Sequence, residues 1–240
     1  MFKRIILKLS GETLAPETIP ANKGASLTFD ADRVARAAEA IVRLTDLGIQ
    51  VGVVMGGGNI WRGRFTDAMD PVSADQMGML ATVINALAVQ DAIRRMGRKA
   101  TVFTPQEMTR FAEHYRADRA VEKLEDGHIV LLAGGSGNPF FTTDTAAVLR
   151  AAELGADAVF KGTTVDGVYD SDPSKNPDAR FIPELSYRQS IDMGIRVMDP
   201  AAFQLCLEQN IPQLRIFNMD DLENILRVAR GEKIGTVVHE

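Results

Sequence analysis

Ile49-Gln-Val-Gly-Val-Val-Met55, running at once into Gly56-Gly-Gly-Asn59, decides how the rest of the chain is read. Near-continuous apolar character over a strand-length run marks a strand buried on both faces, as in a parallel sheet covered by helices. A glycine run at its end removes side chains where a backbone must pass close to something. The same grammar recurs. Ile5–Leu9 reads as a first strand, apolar except for Lys8, and ends in Ser10-Gly11-Glu12. Ile129–Ala133 reads as another and ends in Gly134-Gly-Ser-Gly-Asn-Pro139.

Helices fall between these strands. Asp30 caps a helix reaching to about Leu47, whose residues Val34, Ala37, Ala38, Ile41, Leu44 and Leu47 make one apolar face, and Gly48 stops it. A long apolar helix is expected from about Ala74 to Met96, a short one over Ala117–Leu124, and another from Thr143 to Leu154 before Gly155. Ala100–Phe103 and Ala158–Lys161 read as further strands. Asp166-Gly167 signals a hairpin turn, 173–183 a polar loop, Pro200–Gln209 and Leu222–Arg230 two helices, and Leu214–Phe217 and Gly235–Val238 the last strands. Alternation of this kind predicts an α/β chain, a three-layer αβα sandwich around a mainly parallel sheet. All 240 residues are expected in one domain, with an N-terminal lobe of about 1–160 and a C-terminal lobe of about 161–240.

Composition narrows the function. With 27 Lys and Arg against 32 Asp and Glu, the net charge is −5, and no basic stripe suited to nucleic acid is present. The single cysteine, Cys206, excludes an internal disulfide, and three scattered histidines show no metal-ligand spacing. No stretch reads as long and apolar enough to span a membrane, and Lys8 followed by Ser10-Gly11-Glu12 argues against a leader. A cytoplasmic protein with no membrane and no nucleic-acid partner is expected.

Ligands in open α/β sheets sit beyond the carboxyl ends of the strands. Three glycine-rich strand ends there suit phosphates, with a helix N-terminus behind the third adding free amides. Neither G-x-x-x-x-G-K-[ST] nor G-x-G-x-x-G occurs, so a P-loop or Rossmann scheme is disfavoured. Lys8, near the end of a strand otherwise buried, needs a partner or a task. Lys161 ends its strand toward the same rim. Asp144 stands in the first turn of its helix, where it either complements the dipole or orients a cation. Asp75 reads either as a helix cap or as an acceptor for ribose hydroxyls. Arg62 is able to clamp phosphate.

Taken together, these segments resemble the bacterial-type uridylate (UMP) kinases of the amino-acid-kinase superfamily. The resemblance rests on Lys8-Leu-Ser-Gly-Glu12, Gly56-Gly-Gly-Asn59, Asp75-Gln-Met-Gly-Met-Leu-Ala-Thr82, Gly137-Asn-Pro-Phe-Phe-Thr-Thr-Asp144, Val165-Asp-Gly-Val168 with Asp172-Pro173, Val197-Met-Asp199, Phe217-Asn-Met219 and Gly231-Glu-Lys233. It implies transfer of the ATP γ-phosphoryl to UMP. Lys8, Leu9, Ser10 and Gly11 would hold ATP phosphates, with Gly58 and Arg62 on the donor side and Thr163, Tyr169 and Asp172 framing the adenine nucleotide. Gly57, Asp75, Ser136, Gly137, Asn138, Pro139, Phe140, Phe141, Thr142 and Thr143 would bind UMP. Lys8, Asp144 and Lys161 would be the catalytic group. Mg²⁺ is implied as cofactor, held mainly through nucleotide phosphates, as are a homohexamer, UTP inhibition and GTP activation. The chain departs from the family at Ala15–Leu27, which is longer and carries Pro16 and Pro20 with only Gly24. A family member with a carboxylate acceptor, or a nucleotide sensor without turnover, are the alternatives.

Overall fold

The computed structural model describes residues 2–16, 29–61 and 69–240. Its main sheet has, among the described residues, nine strands: β1 (Arg4–Leu9), β2 (Gln50–Met55), β3 (Ala100–Thr104), β4 (Glu113–His114), β5 (Ile129–Leu132), β6 (Ala158–Thr163), β9 (Glu184–Ser186), β10 (Leu214–Asn218) and β11 (Thr236–His239). They lie in the order β4-β3-β5-β2-β1-β6-β10-β11-β9, all parallel except the β10–β11 pair. A two-stranded ribbon, β7 (Val168–Tyr169) and β8 (Phe181–Ile182), stands apart.

Helices α1 (Ala31–Asp46), α2 (Pro71–Arg95) and α7 (Glu223–Ala229) contribute to one core, and α3 (Ala117–Glu125), α4 (Thr143–Leu154) and α6 (Pro200–Glu208) to the other. The period of two along a strand sorts side chains between the cores. Ile5, Leu7 and Leu9 of β1 face the first core and Ile6 the second. In β6, Ala158 and Phe160 face the first and Val159 the second. Lys8 and Lys161 share the parity of Ile6 and Val159, so the alternation itself turns both toward the face that carries α4.

Most predicted elements occur within a few residues of their expected bounds, with Asp30 accepting the Arg33 N–H as the α1 cap at 3.0 Å. Three readings need correction. Asp166-Gly167 does not close a hairpin: β7 follows it and pairs with β8 across the intervening residues 170–180. The helix expected from Ala74 begins at Pro71, with Asp70 as its cap accepting the Ser73 N–H, so Asp75 is not a cap. The third concerns membrane-spanning length. With 25 residues, α2 is long and apolar enough to cross a membrane by length and composition. In the fold it packs against α1 and β3 and buries Thr82, Asn85 and Gln90. Helix α5 (Tyr187–Asp192) was not foreseen; its six residues are too few for a periodic signal, but Ser186 and Gln189 form a capping box.

Candidate active site

The centre of the site follows from strand register. Lys8 and Lys161 are directly paired positions on the neighbouring parallel strands β1 and β6, so two ammonium groups on one face stand side by side. Asp144, in the first turn of α4, lies over them. Lys161 Nζ donates to both Asp144 oxygens at 2.7 and 2.6 Å, and Lys8 Nζ lies 3.1 Å from Oδ1. All three side chains are close to buried, at 9%, 12% and 13% exposure for Lys161, Lys8 and Asp144.

Two cations and one anion leave this buried cluster a net positive charge. Burial, and after it the neighbouring Lys8 charge, hold the Lys161 ammonium down at about 8, against the pull of Asp144. Burial pushes the Asp144 carboxyl up, but the Lys8 and Lys161 charges outweigh it and keep the group below the ordinary carboxylate range. Asp144 is therefore an anion already engaged by two lysines, suited to holding them in place and unsuited to taking up a proton. The dipole of α4 favours negative charge near its first turn, where Asp144 stands.

Two cavities are lined by residues that neighbour the cluster in the chain. The first, about 370 Å³, is lined by residues including Gly57, Gly58, Asp75, Ser136, Asn138 and Thr143. Phe141 and Thr142 also line it, as do Trp61 and Thr82, which sequence reasoning passed over. Thr143 precedes Asp144 in the chain and so connects this cavity to the charged cluster. The second, about 570 Å³, is lined by Thr163, Tyr169 and Asp172 together with the segment 193–197. Thr163 lies two residues beyond Lys161. Sequence reasoning divided the glycines of the second loop between two ligands, but Gly57 and Gly58 both border the first cavity. Gly137, Pro139 and Phe140 belong to the same loop without lining that cavity. Leu9, Ser10 and Gly11 close β1 against the other glycine loop: a Cβ on Gly11 would meet Gly58 N at 2.9 Å, and one on Gly56 would meet Gly11 N at the same distance. Arg62 lies outside the described residues.

The loops are fixed by polar side chains from α2. Asn85, fully buried, donates to the Gly56 carbonyl at 2.6 Å and exchanges hydrogen bonds with Asn59. Thr82 Oγ1 accepts the Gly134 N–H at 2.7 Å. Gly134 itself has φ of +75°, and a Cβ there would strike Thr104 Oγ1 at 2.8 Å and Pro105 Cδ at 2.9 Å. Asp75 accepts the Phe140 N–H at 2.7 Å. That bond holds Phe140 in a left-handed conformation, φ +71°, unusual for a bulky residue and a form of strain that functional loops retain. Asn85 and Thr82 carried no signal beyond being polar positions within the apolar run Leu80–Val89.

A family model for the amino acid kinase family matches residues 3–218. Among solved structures, a UMP kinase from Bacillus anthracis is 37% identical with a TM-score of 0.92, over 99% of this chain and 96% of that one. A UMP kinase from Ureaplasma parvum is 33% identical with a TM-score of 0.89, over 99% of each chain. A uridylate kinase from Archaeoglobus fulgidus is 26% identical with a TM-score of 0.71, over 98% of this chain and 99% of that one.

Proposed function

The chain belongs to the amino acid kinase family, and from that premise we propose that it is a UMP kinase, transferring the γ-phosphoryl of ATP to the phosphate of UMP in pyrimidine nucleotide synthesis. The observation that carries the reading is the Lys8–Asp144–Lys161 cluster, net positive and nearly buried, with two cavities of nucleotide scale lined by its chain neighbours Thr143 and Thr163.

UMP occupies the cavity of Gly57, Asp75 and the 136–143 loop. ATP occupies the cavity of Thr163, Tyr169 and Asp172, its phosphates reaching over Lys8–Gly11. The acceptor is already an anion, so the reaction needs no strong general base. Catalysis is alignment of the two phosphates and stabilisation of the charge spread over the transferring group. Lys8 and Lys161 supply that charge and Asp144 holds both ammonium groups on one spot. The transfer is direct and in line, without a covalent enzyme intermediate. No three His, Cys, Asp or Glu side chains converge among the described residues, and the Asp144 oxygens already accept from lysines. Mg²⁺ would be held chiefly through the nucleotide phosphates, whose charge it would offset.

The protein works as a homohexamer in the cytoplasm. An apolar stripe on α2, Met77, Leu80 and Ile84, is 39–50% exposed at helical spacing and suits a subunit contact. UTP competes at the UMP cavity, and GTP acts weakly because Ala15–Leu27 lacks glycine spacing; residues 17–27 of that stretch lie outside the described residues. A coupled assay with ATP, Mg²⁺ and a panel of acceptors tests the function. UDP formed from UMP in preference to CMP, AMP or carboxylate acceptors supports it, whereas nucleotide binding without turnover indicates a sensor.

A further inference from the structure

We propose that Asp199 is the positioning residue that ties the ATP cavity to the UMP loop, so that occupancy of one strengthens binding at the other. The inference deepens the UMP-kinase reading and rests on it.

Asp199 caps α6, accepting the Ala202 N–H at 2.9 Å. Its carboxylate also receives two hydroxyls from the opposite side of the site. Thr145 Oγ1 donates to both oxygens at 2.9 and 2.8 Å, and Thr142 Oγ1 donates to Oδ2. Nothing in the described structure ties 193–199 to the start of α4 through a comparable charged group. An ionised carboxylate only accepts, and a hydroxyl has a single proton to give. The direction of these bonds is therefore fixed, and each is charge-assisted. Thr142 in turn accepts the Asp144 and Thr145 N–H groups as the cap of α4.

Two consequences follow. Thr142 lines the UMP cavity, but its proton is committed to Asp199, which leaves Thr143 as the neighbouring threonine whose hydroxyl is open to the phosphate. Second, the chain immediately before Asp199 lines the other cavity: Ile195, Arg196 and Val197 border it, and Met198 is buried. A nucleotide that orders 193–197 thereby orders Asp199, and through Thr142 and Thr145 it orders the first turn of α4, which carries Asp144. The path is four residues of chain and two hydrogen-bonded hydroxyls.

The experiment titrates UMP into the full-length protein by calorimetry, with and without a saturating non-hydrolysable ATP analogue. In the wild type the analogue is expected to tighten UMP by on the order of fivefold or more. Asp199→Asn keeps a competent helix cap and is expected to bring that ratio to within about twofold of unity, with a lower kcat. Thr145→Val, which removes one hydroxyl, is expected to reduce the ratio, and Thr145→Ser to retain it. The threonine pair decides the matter if Asp199→Asn fails to fold. A merely structural role would lower the melting temperature without moving the ratio. An unchanged ratio in folded Asp199→Asn or Thr145→Val, or a wild-type ratio of one, overturns the proposal. A wild type that forms UDP while the ratio ignores these substitutions refutes this inference alone. A wild type that neither binds UMP nor forms UDP refutes the functional reading, and the inference with it.

Discussion

Replacing Asp144 by Asn keeps the side-chain shape and removes the only carboxylate that the described structure places against both Lys8 and Lys161. The immediate effect is electrostatic. The Lys161 ammonium, already at about 8 with Asp144 supporting it at 2.6 Å, loses that support and keeps the repulsion from Lys8. An opposite charge in such contact typically moves a group by roughly one to three pH units, so the variant ammonium titrates well below the wild-type one. At pH 8 about half of the wild-type molecules carry a charged Lys161, against a small minority of the variant. At pH 6.5 the wild type is almost fully charged and the variant regains part of its charge. A reaction that uses the Lys161 charge then runs with kcat/KM at least about fivefold below wild type at pH 8 in the variant, and the deficit narrows at pH 6.5. Measuring both enzymes at each pH cancels the titration of the substrates. The sign is fixed by the chemistry: a lysine acts while protonated, so its contribution is present below its pKa and lost above it. Wild-type kcat/KM should accordingly fall above about pH 8, with the limb in kcat displaced upward because bound phosphates favour the ammonium. A deficit that does not change with pH would refute the idea that Asp144 works by sustaining Lys161, and near-normal activity would remove Asp144 from the site altogether.

Lys8→Ala should lower turnover by on the order of a hundredfold or more without loss of the folded state, as checked by melting temperature and steady-state rates. Asp75→Asn should weaken UMP by about tenfold and leave an ATP analogue nearly unaffected in separate titrations; equal weakening of both would remove the ribose role. Asn85→Ala should cost about 1–3 kcal/mol of stability by leaving the Gly56 carbonyl without its buried donor, and denaturant unfolding measures it. GTP at sub-saturating substrate should change initial rates less than in members with a glycine-rich first loop; strong activation abolished by shortening Ala15–Leu27 would show that this loop binds GTP by other means.

The charged cluster was legible in the sequence because it violates the pattern around it. Lys8 and Lys161 interrupt apolar strands, and strand parity then obliges both to face α4, whose first turn carries Asp144. The glycine-rich strand ends were legible for the same reason. Asp70-Pro71 also holds a readable signal, a capping residue followed by proline at the first helical position, and it places the cap five residues before Asp75. Asp199 could not be placed in this way. It sits before Pro200 with the signature of an ordinary cap, and its second role exists only because α6 packs against α4. Asn85 and Thr82 are similar: their partners, Gly56 and Gly134, lie 29 and 52 residues away, and no local period encodes such contacts. The misplaced hairpin has a related cause, since a turn signal states that the chain bends and does not state which strand receives it.

Phosphorus NMR of the purified protein with ATP, UMP and Mg²⁺ tests the central claim most directly. Direct transfer over the Lys8–Asp144–Lys161 cluster predicts UDP and ADP appearing one for one, with no inorganic phosphate released and with both signals suppressed in Lys8→Ala. ADP accompanied by free phosphate, or unchanged spectra from a protein that binds both nucleotides, would contradict it.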